Sequence, residues 1–195
     1  MKFLLLLISV LVALFMMFMG PGAIEHGPGE IAPDVPRQEK IHEADPIRLG
    51  DYRLTPLARF QVEARVLSRR GYRFDGGASL SPLDLALGWG PMSDSTVLER
   101  IDISQRDRFF YWRTDEFPIP RREIETNAAN MHIIPADDQI NAMLDDVRVG
   151  HVVTLEGLLV EARGDDGFRW KSSLTRSDTG KGACELFYVQ SVAVR

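Results

Sequence analysis

Six side chains stand out as able to bind or react: Trp89, Asn130, His132, Arg176, Asp178 and Glu185. His132 could act as a general base toward the single thiol, Cys184, or share a proton with Asp178 or Glu185. In extended backbone Asn130 and His132 project to one side and Met131 and Ile133 to the other, so one face of this segment is polar. The same residues could instead satisfy backbone groups ahead of a helix. Trp89 lies between Gly88 and Gly90, where an indole either plugs its own core or meets a ligand. Arg176, Asp178 and Glu185 fall in a polar stretch, 172–185, between two expected strands. Loops on a rigid scaffold commonly carry function, although Asp178-Thr179-Gly180 also suffices as a plain turn.

Familiar catalytic patterns fail on these residues. Asp178-Thr179-Gly180 matches the aspartic-protease triplet, but Arg176-Ser177 replaces the apolar strand before it and no second copy follows. Gly180-Lys181-Gly182 lacks the leading glycine and the trailing hydroxyl of a phosphate loop. Asp165-Asp166-Gly167 lacks the further oxygen ligands of a calcium loop. Peptidoglycan transpeptidases share the His-before-Cys order, but they carry Ser-x-Gly-Cys and then a basic residue, where this chain reads Gly182-Ala183-Cys184-Glu185. On a strand Cys184 shares a face with Leu186 and Tyr188, which suits a buried thiol. His26, His42 and His151 do not complete a metal site around His132, so neither metal nor cofactor is expected. Phe109-Phe110-Tyr111-Trp112 among Arg106, Arg108 and Arg113 could stack on bases or sugars, or form a two-sided strand.

The elements that must position these groups follow from periodicity. Phe60, Val62, Ala64 and Val66 alternate with polar residues as a half-buried strand that turns near Arg69-Arg70-Gly71. Ser81-Pro82-Leu83-Asp84 reads as the start of a short helix ended by Gly88, with Ser81 as cap. A strand is expected within 97–113. Ile140, Met143, Leu144 and Val147 recur as an amphipathic helix after Pro135. Strands at 152–162, 168–171 and 185–194 close the chain, the first two joined by a turn at Gly164–Gly167. The fold class is therefore α+β: a mainly antiparallel, curved or barrel-like sheet with two short helices. The stretch 149–157 looks like a strand of an OB-type or SH3-like barrel.

Residues 3–19 contain one non-apolar side chain, Ser9, and would span roughly 25 Å as a helix. The flanks suit a retained anchor better than a cleaved signal, since only Lys2 precedes the run and no A-x-A site follows it. Lys2 before the span and Glu25, Glu30 and Asp34 after it place the N-terminus in the cytoplasm and the rest outside. Residues 1–20 thus read as a transmembrane anchor, 21–46 as a Pro/Gly-rich spacer holding the domain off the membrane, and 47–195 as a globular extracytoplasmic domain. A net charge of −5 argues against nucleic acid as partner. The segments 87–94, 108–113, 129–136 and 172–185 resemble an uncharacterised family of small bacterial single-pass membrane-anchored proteins. That resemblance implies an inner-membrane, periplasm-facing location and brings no activity. The expectation is a non-catalytic binding module for an envelope protein, displayed around Trp89, Asn130, His132 and Arg176. An envelope hydrolase or transferase using His132 with Asp178, Glu185 or Cys184 is the alternative.

Overall fold

The alternation seen at 60–66 extends over a twenty-residue strand, β3 (Tyr52–Gly71), whose even-numbered residues from Leu54 to Val66 are all buried. So long a strand can serve two partners along its length. Its first two thirds pair with β8 (Val152–Gly164) and its end pairs with β4 (Leu83–Gly88), both antiparallel. β4 continues antiparallel into β7 (Ala128–Pro135), and β7 pairs in parallel with β10 (Glu185–Val194). β10 returns antiparallel to β8, so β3, β4, β7, β10 and β8 form a partly closed ring in a mixed sheet. Three short strands extend it: β1 (Arg37–Lys40) and β2 (Ile47–Leu49) on β3, and β9 (Arg169–Lys171) on β8. A separate hairpin, β5 (Asp102–Arg106) and β6 (Phe109–Arg113), stands over the ring. The computed structural model describes residues 22–175 and 184–195; the apolar run 3–19, Arg176 and Asp178 lie outside them.

The inside of the ring is apolar because β-strands send alternate side chains to one face. Leu83, Leu85 and Leu87 of β4, Met131 and Ile133 of β7, and Phe187 and Val189 of β10 meet there with the even residues of β3. Phe60 and Phe187 pack edge to face with centroids 5.2 Å apart. Each such side chain, fully buried, contributes about 1.5–3 kcal/mol. Helix α3 (Asp138–Asp145) closes one end with Ile140 and Leu144, joined by Val147. Asp137 caps it, its carboxylate accepting from the Ile140 N–H at 2.8 Å. Met143, expected on the buried stripe, is instead exposed.

Two expectations are corrected. The helix foreseen from Ser81 is β4: Leu83, Leu85 and Leu87 alternate across a strand held on both edges, and that pairing outweighs the capping pattern. The short helices added are α1 (Ser95–Leu98) and α2 (Arg121–Thr126), giving three with α3 among the described residues. Residues 21–46, expected as a Pro/Gly-rich spacer that holds the domain off the membrane, are docked on the domain from Ile24 through β1. Ile24 N–H donates to Val149 O, Ile31 and Ala32 N–H to Ser93 Oγ, and β1 joins the sheet. Ala32 is fully buried. Glycine and proline composition marks irregular backbone but does not say whether that backbone is docked. Among the described residues no helix is long and apolar enough to cross a membrane.

Candidate functional site

Residues of β7 that face away from the ring interior are Asn130, His132 and Ile134, and the strand registers set Asp84 of β4 directly opposite His132. The polar face expected of Asn130 and His132 therefore exists, and it is closed over: Asp84, His132 and Asn130 are 0%, 2% and 5% exposed. His132 Nδ1–H donates to Asp84 Oδ1 at 2.9 Å, which fixes the ring's tautomer and orientation. Asn130 Nδ2 donates to Asp84 Oδ2 at 3.4 Å and to Arg108 O at 3.2 Å, and its Oδ1 accepts from Gln105 Nε2. An ionised carboxylate with no water around it is costly unless it is paired and hydrogen-bonded. Here the pairing comes from above.

Asp107 and Arg108 form the two-residue turn of the β5–β6 hairpin, with φ of 52° and 68°. Such turns need positive φ at both positions and normally use Asn or Gly. Non-glycine residues in this region cost on the order of 1–3 kcal/mol each, so something must hold the turn in place. The Arg108 guanidinium does. Its Nη1 donates to Asp84 Oδ1 at 3.1 Å and to Ser81 O at 2.9 Å, while Nε and Nη2 bracket the Asp75 carboxylate at 2.9 and 2.7 Å. The same group stacks on Tyr72, 3.8 Å from the ring centroid, with Trp170 at 5.5 Å. Trp170 also lies against His132, centroids 4.5 Å apart. The Arg108 hydrogen bonds hold the Asp75 carboxyl below its ordinary range. Desolvation, reinforced by Asp84, pushes the Tyr72 phenol up. Together these groups make a guanidinium seat of two carboxylates and two aromatic rings, filled by the chain's own arginine.

Of the six sequence-derived candidates, the four among the described residues, Trp89, Asn130, His132 and Glu185, do not share one surface. Trp89 is buried in the ring interior with Phe60 and Phe187, on the other side of the sheet from His132. Glu185 is buried at the start of β10, one residue out of phase with Leu186, which pairs with His132. Cys184 does reach the polar face, its Sγ 3.9 Å from Asn130 Nδ2 and from Arg108 O. Arg176 and Asp178 lie outside the described residues. Sequence reasoning passed over Asp84, Tyr72, Asp75 and Trp170. Asp84 had a signal, an acid amid alternating leucines, masked by its resemblance to a helix cap. Among the described residues no group of three or more His, Cys, Asp or Glu could hold a metal ion.

Outside the cluster, the hairpin presents the opposite face of its strands. Tyr111 and Arg106 are exposed and Phe109, on the same face, is half-buried, while Phe110 and Trp112 pack beneath, and the Arg106 guanidinium sits 4.7 Å from the Tyr111 centroid. Phe74, beside the Asp75 that Arg108 clamps, is 99% exposed. A shallow groove of about 460 Å³ crosses β1, β3, β8 and β10, with Arg37, Arg59, Gln61 and Glu156 of mixed charge on its walls. No family model, curated protein or solved structure matches this chain.

Proposed function

We propose that this chain is a non-catalytic binding module of the bacterial envelope, anchored in the cytoplasmic membrane by residues 3–19 and displayed on its outer side. We read its ring as an OB-type barrel, with β3, β4, β7, β8 and β10 as the five strands in chain order and α3 between the third and fourth. Barrels of that type bind ligands on the face of their second and third strands. In this chain those strands are β4 and β7, and the Arg108 hairpin covers that face.

The observation that carries the reading is the contrast in exposure. Asp84, Asn130 and His132 are consumed by internal partners, whereas Phe74 is exposed beside an ion-paired loop, with Tyr111 exposed on the adjoining hairpin. Rigid aromatic side chains with arginine beside them are the composition of protein-binding hot spots. We therefore put the partner surface at Phe74, Tyr111 and Arg106 instead of around Trp89, Asn130, His132 and Arg176, where the sequence reading has it. Crosslinking in intact membranes tests it. Phe74→Ala with Tyr111→Ala is expected to lose the crosslinked partner at unchanged melting temperature. Retention of the same partner would overturn the assignment.

A second reading, an envelope hydrolase or transferase, draws on the Asp84–His132 pair with Cys184 on the same face. It requires the hairpin to lift. Iodoacetamide labelling of Cys184 that slows in His132→Ala would favour it.

A further inference from the structure

Residues 22–32, the first part of a strap that runs on through β1 to Lys40, bear on where the domain sits relative to the bilayer. Ile24 N–H donates to Val149 O at 2.8 Å, and His26 Nε2 lies 2.7 Å from Gly150 O. Farther along, Ser95 Oγ donates to His26 O and Gly29 N–H to Asp94 Oδ1. The chain lies directly on the backbone of Gly150, whose φ is +91° and whose missing Cβ would come 2.0 Å from Ile24 O. The first residues after the anchor are thus attached to one corner of the domain, the turn at 148–151 that follows α3.

Covalent reach then sets a limit. The apolar run ends at Met19, and Ile24 lies five residues on. At no more than ~3.6 Å per residue, Ile24 stays within about 18 Å of the hydrocarbon edge even if every residue is fully stretched. The headgroup layer takes up roughly 5–7 Å of that distance, the difference between the full bilayer and its apolar core shared over two sides. The corner itself carries two exposed apolar side chains, Met143 and Val149, on either side of the buried Val147. Its charges are mixed, with Arg69 paired to Asp145 and with Arg148 beside Asp146, so electrostatic attraction to lipid is not the driving feature. Tether length and apolar exposure are.

We infer that the 148–151 turn and the adjoining surface of α3, led by Val149 and Met143, form a bilayer-facing corner that rests on the membrane holding the anchor. This rests on the anchor reading in the proposed function. It reverses the expected spacer: the domain is held against the bilayer instead of away from it. The Gly164–Gly167 turn, at the opposite end of β8, then points toward the partner compartment.

The experiment uses the full chain in nanodiscs, with Cys184→Ser and a single NBD label at Val149→Cys or at Asp166→Cys, and lipids carrying a headgroup-level nitroxide. Quenching several-fold stronger at Val149 than at Asp166 is the expected result. Inserting ten Gly/Ser residues after Gly22 leaves the strap's own bonds in place and is expected to lower the Val149 quenching. Equal quenching at both sites, in protein that alkaline carbonate fails to release from membranes, would overturn the inference and leave the anchor standing. Release by carbonate would overturn the anchor and the inference with it.

Discussion

Two segments cover the ring from outside, and they are held in opposite ways. The β5–β6 hairpin delivers one charged side chain through a strained turn into a buried acidic seat. The 22–40 strap lies down through backbone N–H groups and β1 pairing, with Ser93 Oγ and Asp94 as its side-chain acceptors. The difference is one of cooperativity. Withdrawing one partner from a buried charge cluster leaves the other desolvated and unpaired, so the hairpin seat holds or fails as a unit. The strap is a row of bonds each worth about 1 kcal/mol net, which can be lost one at a time.

The most severe way to break this contrast is Asp84→Ala. With Arg108 and His132 left facing an emptied site, a loss of about 3–5 kcal/mol in urea unfolding is expected. Adding Arg108→Ala should recover part of that loss, since the second substitution removes the orphaned charge. A loss within a few tenths of a kcal/mol would show that the cluster does not seat the hairpin. Next comes Gly150→Ala, where positive φ and the close approach of Ile24 act together; about 1–3 kcal/mol is expected, with new trypsin cleavage at Arg37 as the strap lifts. If Arg37 stays protected, the strap is held by β1 alone. Ser93→Ala removes the acceptor of two strap N–H groups, and about 1–2 kcal/mol should be lost without any change at the hairpin.

Acid should separate the two segments most gently. Burial, with Arg148 and His26 nearby, lowers the His151 pKa, so the unfolded chain binds the proton more readily and stability falls as pH drops through the range just below 6.5. This loosens the corner where the strap begins. Asp94, lowered by the Gly29 and Thr96 N–H groups, and Asp75, lowered by Arg108, stabilise the fold above the ordinary carboxylate range. Those contributions disappear only as pH falls through their depressed values. Hydrogen exchange across this range should open the strap end before the hairpin tip; the reverse order would contradict the assignment of the two modes.

Periodicity made the ring legible where it was local. The β3 alternation, α3 with Ile140 and Leu144, the turn at Gly164 and the bounds of β10 all follow from residue spacing. What escaped was whatever depended on a distant partner. Ser81 to Asp84 carries a helix-start pattern, and only two neighbouring strands turn it into an edge-paired β4. Residues 22–40 have loop composition, and their docking depends on Ser93, Asp94 and Gly150, which lie more than fifty positions away. The Asn130 and His132 face was readable from alternation, but its carboxylate, Asp84, and its cation, Arg108, come from other parts of the chain. Trp89 between glycines leaves two readings open in sequence, and its burial in the apolar interior of the ring is the core-plugging one.

The parallel pairing of β7 with β10 also governs the order in which the molecule can form. β10 fills the slot between β7 and β8, yet every other strand of the ring precedes it in the chain. Until it arrives, β7 and β8 each present an unpaired edge, and closing so long a loop is slow. Synthesis from the N-terminal side delivers β3 before β10. Ring closure then waits for that last strand of the ring, and a partly made chain carries two open edges until it pairs.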